Sequence, residues 1–274
     1  MFKKYWKFFV IFWSVVLVGI IGVFVFFWLI SAGKLGFMPT FEELENPNNR
    51  FASEVYFADG PIMNRYFEKE NRKYIEYREI PQSVIDALIA TEDVRFYDHS
   101  GVDVRGLFRV AKGLLTANTS AGGGSTISQQ LAKMLFPRES DLNVFELAIR
   151  KFREWVIAVR LEKSYTKEEI LTMYLNKYDF LNLAVGISSA ADIYFQVPLD
   201  SLKVEQAAML IGMAKNSSYY NPVRRPELTL NRRNVVLSQM YKYDKITREE
   251  CDSLKKLPLG LNFKRVDHKE GLAT

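Results

Sequence analysis

From Phe8 to Gly33 the chain carries no charged residue, and Phe8 to Ile30 is almost wholly apolar. As a helix rising about 1.5 Å per residue, the run from 8 to 30 reaches about 35 Å, enough to cross a hydrocarbon core of about 30 Å. A cleaved signal peptide has a shorter apolar region, of about 7–15 residues, ahead of a small-residue cleavage site. Ser31-Ala32-Gly33 imitates such a site, but the length of the run predicts a retained anchor. Lys3, Lys4 and Lys7 precede it, which places the N-terminus in the cytoplasm and everything after Lys34 outside. Trp6, Trp13 and Trp28 lie towards the two ends, where indoles favour the membrane interface.

The reading therefore divides the chain into a cytoplasmic tail (1–7), a transmembrane helix (8–30), a linker (31–50) and one large outward-facing domain (51–263), with 264–274 as a further linker. With 37 basic and 32 acidic residues the net charge is +5, and three of the lysines sit in the tail. That mild excess suits an anionic membrane surface, and no nucleic-acid recognition motif accompanies it. The single cysteine, Cys251, excludes an internal disulfide framework and a cysteine-rich metal site.

Within the domain, Ala52–Phe57 and Ile62–Phe67, joined by Asp59-Gly60-Pro61, predict a small β-hairpin. Pro81 opens a helix in which Ile85, Leu88 and Ile89 share a face with Glu92. An apolar face that ends in a carboxylate suits a proton acceptor, although a helix-terminal glutamate turned to solvent has the same spacing. Val104–Leu115 mixes Arg105, Arg109 and Lys112 with apolar residues, a basic amphipathic helix that fits a membrane surface or an ordinary core equally well. Gly122, Gly123 and Gly124 then give a loose loop, and Thr126 with Gln129 predicts a capping box opening a helix whose free N–H groups attract phosphate. Gln129, Gln130 and Lys133 can converge on one face of it. No lysine follows the glycines where a nucleotide-binding P-loop needs one.

A long helix runs from Val144 to about Glu162, with Glu146, Arg150 and Glu154 at steps of four. Such spacing usually marks a solvated, salt-bridged face. Thr166 and Glu169 predict another capping box, and Gly186–Phe195, Gln206–Met213 and the segments opened by Pro226 and Thr247 read as further helices.

Several of these stretches carry a resemblance. Glu92-Asp93, Phe96, His99 and Gly101 stand in the spacing E-D-x-x-F-x-x-H-x-G, and the segment ending at Lys133 in G-x-S-T-I-x-Q-Q-L-x-K. Arg150-Lys151-x-x-Glu154 gives R-K-x-x-E, and Lys167 to Asn176 gives K-x-x-I-L-x-x-Y-L-N. Together they resemble the signatures of the peptidoglycan glycosyltransferases (family 51), found in class A penicillin-binding proteins. The resemblance implies a mainly α, lysozyme-like helical domain with a small N-terminal β-hairpin, preceded by one transmembrane helix. It implies polymerisation of lipid II into glycan strands with inversion at the muramyl C1, at the outer face of the cytoplasmic membrane. Partners would be lipid II, the growing strand, the bilayer and a cell-wall synthesis complex.

By the same resemblance Glu92 is the base and Glu154 the second acidic residue of the site. Asp93, Ser125, Thr126, Gln129, Gln130, Lys133, Arg150 and Lys151 contact substrate, with Arg138 assigned to an arginine role that relatives place in the loop after Lys133. Glu154 either orients the cations or holds a divalent ion, Mg or Mn, at the pyrophosphate. His99 is expected to be a structural hydrogen-bonder. A membrane-anchored glycan-cleaving enzyme and a non-catalytic cell-wall scaffold are the alternatives. Residues 264–274 resemble the link to a transpeptidase domain, which implies a longer bifunctional enzyme. The S-x-x-K matches at Ser31, Ser164 and Ser253 lack S-x-N and K-T-G partners. This chain is accordingly expected to form no covalent adduct with a fluorescent penicillin; a labelled band on a denaturing gel is the contrary result.

Overall fold

The computed structural model describes residues 2–40, 43, 53–56, 62–66, 71–116, 123–135 and 143–264. The N-terminal helix, α1, covers Phe2–Ser31 and so continues through the lysines that precede the apolar run. It is the one helix among the described residues long and apolar enough to cross a membrane. β1 (Ser53–Tyr56) and β2 (Ile62–Tyr66) pair antiparallel, Ser53 opposite Tyr66; the connecting residues 57–61 lie outside the described residues. Two short strands, β3 (Asn71–Arg72) and β4 (Ala184–Val185), pair in parallel. The remaining regular structure of the described domain is helical.

The helices in chain order are α2 (Gln82–Glu92), α3 (Val104–Leu115), α4 (Ile127–Leu135), α5 (Val144–Ser164), α6 (Lys167–Lys177), α7 (Ile187–Phe195), α8 (Val204–Met213), α9 (Pro226–Lys242) and α10 (Arg248–Lys256). Their starts follow local chemistry. Thr166 and Thr247 each accept from the N–H of the glutamate three residues on, which answers through its own carboxylate. Asn143 and Glu146 do the same at the start of α5, so Glu146 is spent on capping and does not join the charge ladder its spacing suggested. At α4 only half of the expected box forms. Thr126 Oγ1 accepts from the Gln129 N–H at 3.2 Å, but the Gln129 side chain turns away to Gly101 O.

Two groups of helices make up the body. α2, α8 and α9 pack on one another, and α4 packs against both α5 and α6. One buried core runs through both, including Leu88, Leu131, Leu171, Ile187, Leu210 and Leu237. Asn176, at the end of the Y-L-N run, acts as a surrogate backbone: its amide donates to Ile75 O and accepts from Ile75 N–H. The C-terminal end of α1 docks on α5. The Phe26 and Phe27 rings stand 5.4 and 5.7 Å from that of Phe152, and Arg160 donates to Ser31 O at 2.8 Å and Pro39 O at 3.1 Å.

Two tyrosines, Tyr178 half-buried and Tyr194 buried, tie the joints of this body. Tyr178 donates to Ala214 O at 2.8 Å and Tyr194 to Phe180 O at 2.7 Å. Burial pushes both phenols up to about 12. The unfolded chain releases these protons near pH 10 while the folded one keeps them, so the folded state binds more protons and stability falls as pH rises from 10 to about 12. Each phenol contributes a slope of up to about 1.4 kcal/mol per pH unit. Denaturation of Tyr194→Phe against the unsubstituted chain across that range should show the shallower loss.

Candidate active site

The two helix groups meet at the C-terminal end of α2. Its apolar face turns inward, with Ile85 and Ile89 buried and Leu88 fully so. The helix ends in Glu92-Asp93, and these neighbours take opposite paths. Asp93, with its side chain only 4% exposed, accepts from His99 Nε2 at 3.0 Å and from the backbone N–H of Ile127, the first residue of α4, also at 3.0 Å. A carboxylate there meets the positive end of the α4 dipole. Asp93 is thus placed as a bolt between α2 and α4, and His99 as a hydrogen-bonder to it.

Gly101 closes the same loop. Its φ of +91° lies in the region glycine tolerates, and a Cβ would come within 2.7 Å of the Ala158 and Val159 backbone on α5. Its carbonyl accepts from Thr126 Oγ1 at 2.7 Å and from Gln129 Nε2 at 3.2 Å. Thr126 and Gln129 are buried, and Thr126 lies with Asp93 in the lining of a small cavity beside Glu92.

Glu92 turns instead into an open cleft of about 620 Å³, lined by Thr91, Val94, Arg109, Gly123, Gly124, Ser125, Gln130, Lys215, Arg232, Gln239 and Lys242 among others. Its setting is not the purely apolar one that helix periodicity suggests. Gln130 Nε2 donates to Oε2 at 2.9 Å, and the Arg232 guanidinium stands 3.4 Å from Oε1. Gln130 is itself oriented: Tyr174 donates to its Oε1 at 3.0 Å, which turns the NH₂ towards Glu92. Burial, and then the Glu92 charge, push the Tyr174 phenol well above its usual range, so it stays a donor throughout the working pH range. Beside them runs a second polar chain, in which Lys151 donates to Ser125 Oγ at 3.1 Å and pairs with Glu154 at 2.8 Å.

Of the residues singled out from sequence, Glu92, Gln130 and Ser125 line this cleft, and Lys151 and Glu154 reach it through Ser125. Lys133 is exposed in the last turn of α4 and Arg150 is half-buried on α5; among the described residues neither lines it. Arg138 lies outside the described residues. Glu154 is a single carboxylate already neutralised by Lys151, and among the described residues no three His, Cys, Asp or Glu side chains gather into a metal site. One carboxylate is too few for a protein-built divalent-ion cage; an ion held by Glu154 would take its remaining oxygens from the pyrophosphate and water.

The sequence reading missed Arg232, Lys215 and the hydroxyl of Tyr174. Tyr174 is otherwise packed in the buried core, and the Arg232-Arg233 pair inside α9 is the one available signal for Arg232. Tyr174→Phe removes the hydrogen bond to half-buried Gln130, and urea denaturation should show a loss of about 0.5–1.5 kcal/mol.

Residues 59–241 match the family described as Transglycosylase. Penicillin-binding protein 1A of Escherichia coli (strain K12) is 36% identical over 226 residues, 82% of this chain and 26% of that protein. Penicillin-binding protein 1A of Haemophilus influenzae is 36% identical over 235 residues, 86% of this chain and 26% of its own length. A 2.6 Å crystal structure of penicillin-binding protein 1A from Haemophilus influenzae aligns with a TM-score of 0.45 and 22% identity, covering 79% of this chain and 22% of that one. The chain spans about a quarter of the length of these curated relatives.

Proposed function

The chain belongs to the transglycosylase family, and from that premise we propose that it is a peptidoglycan glycosyltransferase that polymerises lipid II. The single observation that carries the reading is the Glu92 carboxylate, facing a cleft and held from two sides by Gln130 and Arg232. A neutral-glycan hydrolase has no need of so much positive charge, and this cleft has Arg109, Lys215, Arg232 and Lys242 on its walls.

In the proposed reaction Glu92 takes the proton of the acceptor sugar's 4-hydroxyl. The freed oxygen pair forms the bond to C1 of the strand's terminal muramyl sugar from the face opposite the leaving group. The C1–O bond to the undecaprenyl pyrophosphate breaks with its electron pair on the pyrophosphate, so the anomeric centre inverts. Lys151, which reaches the cleft through Ser125, supplies positive charge for that leaving group, and Lys133 and Arg150, on the mutually packed α4 and α5 outside the cleft lining, add to the field from further away. Glu154 holds Lys151 in place, and Ser125 receives its ammonium. Gln130 fixes one Glu92 oxygen so that the free lone pairs face the cleft.

The apolar α1, docked on α5, anchors the domain at the membrane, with the N-terminus inside and the cleft at the outer face. A substrate with a polyprenyl tail needs its cleft held against the bilayer, and this arrangement supports the reading.

Purified chain in detergent, given radiolabelled lipid II, should build glycan strands, and Glu92→Gln should lower turnover by about 10²–10⁴-fold with the fold intact. Shortening of finished glycan without growth would support the cleaving enzyme instead, and unaltered turnover in Glu92→Gln would remove Glu92 as the base.

A further inference from the structure

Arg232 does more than add charge to the cleft wall. Its side chain is 11% exposed and that of Glu92 13%, so their contact is largely screened from solvent. Three features hold it there. Nε donates to Gly212 O, in the last turn of α8, at 3.3 Å, where the negative end of the helix dipole favours a guanidinium. The guanidinium carbon lies 5.8 Å from the centre of the Tyr220 ring. The stem lies so close to Gly212 that a Cβ at 212 would stand 3.2 Å from Arg232 Cγ. This is a fixed arm, built from α8, α9 and the segment between them, that ends on one oxygen of Glu92.

The other oxygen is fixed from α4 by Gln130. A carboxylate offers about four lone-pair sites on its two oxygens, so two directional donors leave capacity on each oxygen for substrate. A guanidinium stays protonated at any working pH and cannot itself take the acceptor's proton. Its contribution to the chemistry must pass through Glu92 or through direct contact with substrate anions.

We propose that Arg232 is a positioning residue that acts through Glu92, setting the plane of the carboxylate against the pull of Gln130 so that its free lone pairs meet the acceptor hydroxyl. The proposal rests on the reading of Glu92 as the base. Lysine cannot replace this arm: it keeps the charge but loses the bond from Nε to Gly212 and the second nitrogen that reaches Glu92.

The test is a mutant cycle in lipid II polymerisation by the full chain in detergent, with Glu92→Gln, Arg232→Ala, their double variant, Arg232→Lys and Gly212→Ala. Misplacing a reacting group by about 1 Å can cost about 10²-fold, so Arg232→Ala should lower kcat by about that factor with KM within about threefold. In the Glu92→Gln background the same change should cost less than about threefold, because the group it positions is gone. Arg232→Lys should recover only part of the loss. Gly212→Ala keeps every charge and pushes the stem of Arg232 by a few tenths of an ångström, so it should lower kcat by about 3–10-fold; it carries the test if Arg232→Ala does not fold.

Losses that multiply in the double variant would make Arg232 a structural residue and overturn the proposal. A raised KM with unchanged kcat would make it a substrate anchor and also overturn it. Full activity of Arg232→Ala beside an inactive Glu92→Gln removes this proposal alone, whereas full activity of Glu92→Gln removes the reading beneath it.

Discussion

The Asp93 carboxylate is the contact on which the site depends. It leaves the C-terminal end of α2 and receives the first N–H of α4 and the ring of His99, largely shielded from solvent. Because Asp93 follows Glu92 directly, seating one sets the other. Glu92 stands at the mouth of the cleft because its neighbour is bolted into the wall. The same bolt fixes the start of α4, and with it Gln130 one turn further on. The two ends of the Glu92–Gln130 hydrogen bond are therefore set by one buried group, together with the Gly101 carbonyl that gathers Thr126 and Gln129. Loss of a buried carboxylate that accepts several hydrogen bonds strands its donors at about 1–3 kcal/mol each. In this place it would also release the relative position of α2 and α4.

α5 links the site to the apolar helix α1. Lys151 and Glu154 face Ser125, while Phe152 meets Phe26 and Phe27, and Arg160 ties down Ser31 and Pro39. Lys151 and Glu154 are three residues apart and share a face; Phe152 lies about 100° round from Lys151, on a different side. One helix thus presents polar groups to the cleft and aromatic ones to the anchor. Gly36, with its φ of +110°, permits the linker to pass against Arg153, where a Cβ would stand 2.4 Å from the guanidinium. The distance of the cleft from α1 is set by packing along α5 rather than by a slack tether.

The helices were largely legible from sequence, because their starts are written in local chemistry: the Thr166 and Thr247 boxes and the glycine before α7 need no tertiary information. α3 was expected at Val104–Leu115 and is found there. Glu92, Gln130 and the Lys151–Glu154 pair were also legible, since the motifs name them. What periodicity could not supply was the choice between partners. Glu146 had two uses open to it, in a ladder or in a cap, and the cap won because an unpaired N–H at a helix start is the more urgent need. Gln129 is as polar as its neighbour Gln130, but adjacent helix positions lie about 100° apart, and Gln129 is buried on Gly101 while Gln130 reaches the cleft. Arg232 lies 140 residues from Glu92, and no local pattern connects them.

The arginine pair in α9 shows why such a residue is hard to read. Arg232 and Arg233 are neighbours, about 100° apart around the helix, and they serve opposite sides of it. Arg233 is fully buried and donates to the carbonyls of Lys255, Leu257 and Pro258, closing the C-terminal end of α10 against α9. Burial pulls its guanidinium down from its ordinary range, but three carbonyls and the Asn234 amide oxygen satisfy its donors. Arg232 has a carbonyl, a ring face and a carboxylate. The difference lies in the last of these. Backbone carbonyls are neutral and fixed, so Arg233 is a structural tie. A carboxylate on the wall of a cleft can gain a proton, and when it does the ion pair on its oxygen weakens. With Glu92 as the proposed base, Arg232 is the one of the two whose balance of charge would change during the reaction, whereas Arg233 keeps a fixed one.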